Sequence, residues 1–133
     1  MQMRAVVLDG PGPAAEMRVR RVTVPEPGVG WVRIKVEAFG LNRSEYHLRA
    51  GLATNARFPI IPGIEATGIV DLAPGGEFVP GQQVVAVMGG MGREFDGGYA
   101  EYTVVPATSV IPVETTLDWA TLGALPEMLQ TAH

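Results

Sequence analysis

The sequence predicts a single, mainly β domain with a few short helices. Gly 17 and Pro 11 together make up more than a fifth of the chain. They fall between short apolar runs instead of gathering in one linker, so they read as the punctuation of many turns. One run, Trp31–Ala38, alternates cleanly: Val32, Ile34, Val36 and Ala38 face one way, and Arg33, Lys35 and Glu37 the other. That is the period of a half-buried strand. At 133 residues the chain is long enough to bury roughly two-thirds of the surface it would expose unfolded.

The remaining elements follow in order. Residues 4–8 (RAVVL) form a short β-branched run closed by the turn residues Asp9, Gly10 and Pro11. Residues 17–24 alternate in part, with Val19, Val22 and Val24 among arginines, and stop at PEPG, residues 25–28. Beyond the Trp31–Ala38 strand, residues 42–50 (NRSEYHLRA) hold good helix formers. Asn42 supplies the N-cap and Gly51 the stop of a short helix. Residues 66–72, 84–88 and 98–105 are further strands. They are separated by Pro74-Gly75-Gly76, by Pro80-Gly81 and by a glycine-rich loop over residues 89–98. After Pro112 the character changes. Residues 117–125 and 127–132 are helix-like, with Pro126 between them suited to the first turn of the second piece. The chain ends at His133 within this helical pattern, with neither Gly nor Pro to close it. The expectation is the first part of a longer polypeptide.

Composition narrows the function. A chain that is 47% hydrophobic and 18% charged has the make-up of a soluble globular domain. The net charge of -4 leaves no basic footprint, so nucleic acid is not an expected partner. No apolar run approaches the roughly 20 residues of a membrane span, and MQMRAVVLDG at the N-terminus lacks the apolar core and cleavage site of a signal peptide. With Cys 0 there is no disulfide, no thiolate nucleophile and no Cys-ligated zinc. A cytoplasmic location is the expectation.

Four landmarks carry more specific information. Ala38-Phe39-Gly40-Leu41-Asn42, followed by Arg49-Ala50-Gly51, has the form A-x-G-x-N…R-x-G. Residues 58–70, FPIIPGIEATGIV, match P-G-H-E-x-x-G-x-V except that Ile64 stands at the His position. Val79-Pro80-Gly81-Gln82-Gln83-Val84 is close to V-x-x-G-D-x-V, with Gln83 in place of Asp, and Gly97-Gly98-Tyr99-Ala100-Glu101-Tyr102 matches G-G-x-A-E-Y. Each is weak alone, but four in order at sensible spacing are strong. In this order they resemble the N-terminal GroES-like catalytic domain of the medium-chain dehydrogenases and reductases, and within them the zinc-independent quinone oxidoreductase (zeta-crystallin-like) branch.

The resemblance implies a partly open β-barrel over residues 1–124. Residues 125–133 would begin a hinge helix toward a nucleotide-binding domain that this sequence does not supply. The G-x-G-x-x-G turn of such a domain is missing here. Gly28-Val29-Gly30 and Gly89-Gly90-Met91-Gly92 lack its third glycine and its strand-to-helix setting, and read as loops.

The same resemblance assigns candidate site residues. Zinc-dependent relatives place their catalytic ligands at positions that fall here on Asn42, Ile64 and Glu127. An amide is a poor zinc ligand and an aliphatic side chain is none, so no metal is expected. Asn42 falls at a position near the nicotinamide, and it also suits a helix N-cap; the two roles are compatible. His47 stands where relatives often carry a Tyr beside the cofactor, and is equally consistent with an exposed helix face. Thr131 matches a hinge-helix Thr that contacts the nicotinamide amide, against a hydroxyl bonded back to its own helix.

Glu65 is a candidate catalytic group or a carboxylate awaiting a cationic partner. Glu45 reads as an ion-pair or supporting residue rather than a general base. Arg49 reads as a helix-end residue, Arg93 as solvated, and Trp31 and Trp119 as packing. The catalytic group itself is left open among Asn42, His47 and Glu65.

The expected function is the substrate side of an NADPH-dependent, zinc-independent oxidoreductase. It would reduce quinones or enones, small molecules in which the charge developing on hydride transfer is delocalised, and would be inactive as an isolated domain. The alternative is a free-standing GroES-like binding module or co-chaperonin-like subunit. The apolar residues Leu122, Leu125, Met128 and Leu129 offer a face for a homodimer.

Overall fold

A computed structural model describes residues 1–53 and 56–132, the side chains of Gln130 and Thr131 excepted. Its first strands, β1 (Gln2–Val7) and β2 (Arg18–Thr23), pair antiparallel as a two-stranded ribbon. The larger sheet contains β3 (Trp31–Ala38), β4 (Glu65–Leu72), β5 (Gln83–Val87), β6 (Tyr102–Pro106) and β7 (Val110–Pro112), in the order β6-β3-β4-β5-β7. All its pairings are antiparallel. The described residues also form the short α-helices α1 (Arg43–Arg49), α2 (Trp119–Gly123) and α3 (Pro126–Ala132), besides single 3-10 turns at Ala14–Glu16 and Ala107–Ser109. The result is mainly β, a half-barrel with few helices, as the sequence predicts. Among the described residues no helix is long and apolar enough to cross a membrane.

Strand β3 is an interior strand, paired with β6 on one edge and β4 on the other, and one of its faces is apolar. Val32 and Ile34 are fully buried and pack with Ala66, Val70, Val84, Val105 and Val110. Lys35 and Glu37 stay exposed on the opposite face. A second core lies under the ribbon, where Met3, Ala5 and Val24 meet Ile61, Tyr99 and Ala100. A third, of Leu8, Leu48 and Ile60, seats α1 against the chain before β4.

The strand expected over residues 98–105 is divided. Its first part leaves the large sheet to join the ribbon: the Val6 N–H donates to the Tyr99 carbonyl and the Glu101 N–H to the Arg4 carbonyl. The Glu101 carbonyl then accepts from the Val36 N–H, and from Tyr102 the chain pairs with β3 in regular register. This segment therefore stitches ribbon to sheet. The short β7 was not anticipated, since three residues carry too little pattern to read.

The ends of α1 are as the sequence suggests. Asn42 is the N-cap, Glu45 reaches back to its N–H, and Gly51 at φ +82° follows the last turn. Arg49 then fastens the helix end, donating to the Gly12 carbonyl at 2.9 Å while the Gly12 N–H returns a bond to the Arg49 carbonyl. Asp118 caps α2 by accepting from the Thr121 N–H at 2.7 Å, and α3 starts at Pro126, the expected first-turn position.

Candidate functional site

The geometry of the candidate site begins with a backbone crossing. Residues 61–65 pass directly over residues 96–99. The Gly97 N–H donates to the Ile61 carbonyl at 2.7 Å and the Tyr99 N–H to the Pro62 carbonyl at 3.0 Å, while Asp96 Oδ1 accepts from the Ile61 N–H. Only glycine permits this approach. Gly63 has φ +112°, and a Cβ there would lie 2.8 Å from the Gly98 nitrogen. A Cβ on Gly97 would overlap the Gly63 carbonyl oxygen. Immediately after the crossing, Ile64 and Glu65 enter β4, both buried.

Glu65 is 2% exposed. Its Oε2 accepts from Asn42 Nδ2 at 2.7 Å, and the backbone N–H of Glu127, at the start of α3, also donates to the carboxylate. Its Oε1 is buried without a hydrogen-bond partner among the described residues. Gly40 makes room for this carboxylate: a Cβ there would stand 2.9 Å from Glu65 Cδ and 3.0 Å from each oxygen.

Glu45 is buried nearby on α1. Its Oε1 accepts from the Asn42 N–H and from the Tyr99 hydroxyl, each at 3.1 Å, and its Oε2 likewise has no partner among the described residues. Tyr99 is stacked on Phe39, with ring centroids 4.4 Å apart.

Two buried carboxylates so placed resist ionisation. Burial pushes the Glu65 carboxyl above its ordinary value, the bonds from Asn42 and Glu127 pull it back, and the Glu127 carboxylate adds to the upward push. Burial raises Glu45 as well, against the bonds from Asn42 and Tyr99, and the charge of Glu65 adds to it. The Tyr99 hydroxyl is raised by burial and then by Glu45. Tyr99 therefore stays protonated and donates.

The cleft above this network has a volume of about 620 Å³ and is lined by Gly40–Ser44, Ile64, Glu65 and residues of α3. Asn42, Glu65, Ile64 and Glu127, which the resemblance singled out, are thus brought together on its walls. His47 is not. It lies in the last turn of α1, half-buried beside Tyr46. The side chain of Thr131 lies outside the described residues.

One expectation needs amendment. Arg93 is not simply solvated: its guanidinium donates to the Ser44 hydroxyl at 2.7 Å and carbonyl at 3.2 Å, tying the glycine-rich loop to α1. Glu45 has the supporting place the sequence allowed it, and within this chain neutral donors hold both it and Glu65. The roles of Gly40 and Tyr99 were missed, although both stand inside quoted motifs. Gly40 holds a fixed position of A-x-G-x-N, which was the available signal, whereas Tyr99 falls at the variable position of G-G-x-A-E-Y and carried none.

What can this arrangement do chemically? Glu65 holds the Asn42 amide by one N–H and the capping box engages its carbonyl, which leaves a second N–H to meet a ligand in the cleft. The three positions used as zinc ligands in zinc-dependent relatives here carry an amide, an aliphatic group and a carboxylate. Among the described residues no three His, Cys, Asp or Glu side chains come together as a metal-binding group. This donor set does not suit catalytic zinc.

Residues 28–115 match the sequence profile of the alcohol dehydrogenase GroES-like domain. The chain belongs to that family. It is 36% identical over 137 aligned residues to the chloroplastic quinone oxidoreductase QR1 of Triphysaria versicolor, an alignment that covers 98% of this chain and 41% of that protein. The crystal structure of the human synaptic vesicle membrane protein VAT-1 homolog-like protein superposes with a TM-score of 0.87 at 32% identity, covering 99% of this chain and 42% of that one. A cobalt- and zinc-bound thermostable alcohol dehydrogenase from Pyrobaculum aerophilum gives a TM-score of 0.82 at 31% identity, covering 95% of this chain and 45% of that one. The GroES-like chain thus spans about two-fifths of the length of such relatives. Its fold is shared by proteins named for quinones and by a metal-bound alcohol dehydrogenase.

Proposed function

We propose that this chain is the substrate-side domain of an NADPH-dependent, zinc-independent oxidoreductase that reduces quinones or enones. In this reading residues 1–124 form the catalytic domain and residues 125–133 begin the hinge toward a nucleotide-binding domain. The observation that carries the reading is the cleft itself. Ile64 has no lone pair to offer, and the Asn42 amide is already engaged by Glu65 at 2.7 Å, so carbonyl polarisation must come from hydrogen bonds or from the substrate's own conjugation. The quinone oxidoreductase among the relatives supports the same substrate class.

The bound dinucleotide would supply hydride to the substrate. This chain's residues would do the rest. Asn42 lines the cleft with one free amide N–H, which suits the nicotinamide carbonyl or the substrate oxygen. The hinge position of Thr131 and, from α1, His47 are the other proposed cofactor contacts. Ile64, buried, gives one wall an apolar surface, and Gly40 keeps the Glu65 carboxyl in register behind Asn42. Asn42 and Glu65 are the proposed catalytic pair, with His47 a third candidate. A cytoplasmic location fits the Cys 0 composition, and the exposed Met128 and Leu129 suit a homodimer, while Leu122, expected on that face, is buried.

The test is made on the full-length enzyme. NADPH-dependent reduction of a quinone or an enone should survive exhaustive chelation. Oxidation of simple alcohols that disappears on chelation would overturn the proposal. In the 133-residue chain alone, NADPH binding should be undetectable at millimolar cofactor by calorimetry, because the two halves of the cleft are needed to hold it.

A further inference from the structure

The ribbon has one edge in use and one open. On β1, Arg4 and Val6 turn their backbone groups toward residues 99–101. Strand β2 pairs with β1 alone, in unbroken register, with neither proline nor bulge to blunt its outer edge. The bond from the Val24 N–H to the Met1 carbonyl sets the phase of that pairing. Alternate residues of an antiparallel strand bond to the same neighbour, so Arg18, Arg20 and Val22 turn their backbone to β1. Val19, Arg21 and Thr23 turn theirs outward. All three are exposed, and among the described residues nothing bonds to their outward N–H and C=O groups.

The side chains decide what such an edge accepts. Half of the strand RVRRVT is arginine, in a chain whose net charge is -4. Arg20 is held by Asp9 at 2.9 Å, and Glu16 lies in the same depression as Arg18 and Arg20. Arg18 and Arg21 make no ion pair among the described residues. Arg21 stands across from Arg4, whose guanidinium is already on Glu101. Val19, 65% exposed, stands beside Val6 in the wall of an apolar groove shared with Val36 and Phe39. A second copy of the chain is a poor fit. Antiparallel pairing of β2 with itself along most of its length sets Arg20 against Arg20, Arg21 against Arg21 or Arg20 against Arg21, and like charges directly opposite destabilise a sheet.

We propose that the outer edge of β2 is a docking site for an extended acidic segment of a partner protein, added antiparallel as a further strand of the ribbon. The main chain of the segment bonds to Val19, Arg21 and Thr23, and its carboxylates stand opposite Arg18, Arg20 and Arg21. An apolar side chain opposite Val19 continues the row that Val6 and Val19 begin. From its N-terminal end the segment therefore reads acidic, acidic, apolar, acidic. Docking here is independent of the oxidoreductase reading, since β2 lends no residue to the cleft.

The experiment titrates the peptide TVEEVE, blocked at both ends, into the isotopically labelled 133-residue chain at low ionic strength, followed by amide resonances. Saturable shifts should appear along β2. The Val19, Arg21 and Thr23 amides should gain protection from exchange, while those of Arg18, Arg20 and Val22, already bonded to β1, gain little. N-methylation of the third and fifth peptide residues, whose N–H groups meet Arg21 and Val19, should weaken binding about tenfold. N-methylation of the fourth and sixth, whose N–H groups point away, should change it by less than about twofold. The double variant Arg18→Glu, Arg21→Glu should lose TVEEVE and bind TVKKVK in its place, a gain that an unfolded chain could not show. Four results would each overturn the proposal. One is the lack of any saturable shift, and a second is an equal response to the two N-methylation patterns, which would mean attraction by charge alone. A third is TVKKVK binding the parent as tightly as TVEEVE. The last is a β2 shift that follows chain concentration without peptide, which would make a second copy the occupant.

Discussion

Glu65 and Gly40 show how much of the site is settled by single residues. Because burial raises the Glu65 and Glu45 carboxyls above the ordinary 4.5, the folded state holds these protons more tightly than the unfolded chain does. The stability this gives is complete below pH 4.5 and is lost as pH rises through the raised values. Glu65→Gln removes one of the two titrations, so its thermal midpoint should fall less than the parent's between about pH 5 and pH 8. Parallel curves would show that Glu65 ionises without cost. Glu101, lowered by its hydrogen bond from Arg4, and Asp118, lowered by the Thr121 N–H, act in the opposite sense. Their contribution is lost on acidification and does not confuse the comparison. Gly40→Ala sets a Cβ against the Glu65 carboxylate and should cost about 1–3 kcal/mol in urea unfolding, the usual range for an overpacked site. Gly10→Ala, which meets nothing within 4 Å, should be close to neutral.

At the scale of elements, β3 and β2 make a useful contrast. Ile34 is fully buried in an interior strand of the large sheet, whereas Val19 on the ribbon is 65% exposed. Ile34→Ala should therefore destabilise by about 3 kcal/mol, and Val19→Ala by a few tenths, as measured by chemical denaturation. Equal losses would mean that the ribbon packs against something this face does not show. The contrast also marks what was legible beforehand. Strand β3 could be read because its period is unbroken over eight residues. The cap at Asn42 and the start at Pro126 were readable because they depend on local chemistry alone. The split of residues 98–105 was not, since it depends on where Arg4 and Val6 lie nearly a hundred positions earlier. For the same reason Arg93 looked like a solvated loop charge, when its partner, Ser44, lies on α1. Motif order led to Asn42, Ile64, Glu65 and Glu127, but nothing local revealed that Glu45 and Tyr99 would meet beneath them.

Across the whole molecule, the ribbon, the large sheet and α1 all depend on the crossing of residues 61–65 over residues 96–99. Gly97→Ala should therefore speed amide exchange on both sides at once: at Val6, bonded to the Tyr99 carbonyl, and at Met88, bonded to the Ile64 carbonyl. Exchange that rises at one site only would mean that ribbon and sheet open separately. The crossing bears equally on how relatives of one fold come to carry names for different substrates. Apart from the Asp96 carboxylate, its contacts are made by main chain, through glycines that have no side chain to vary. The rim of the cleft, with Leu41, Arg43 and Met128, is all side chain. Mutation can redraw that rim freely while the mould beneath it stays fixed. In a lineage that exchanges substrates, novelty should therefore accumulate at the lip of the cleft and inheritance at its base.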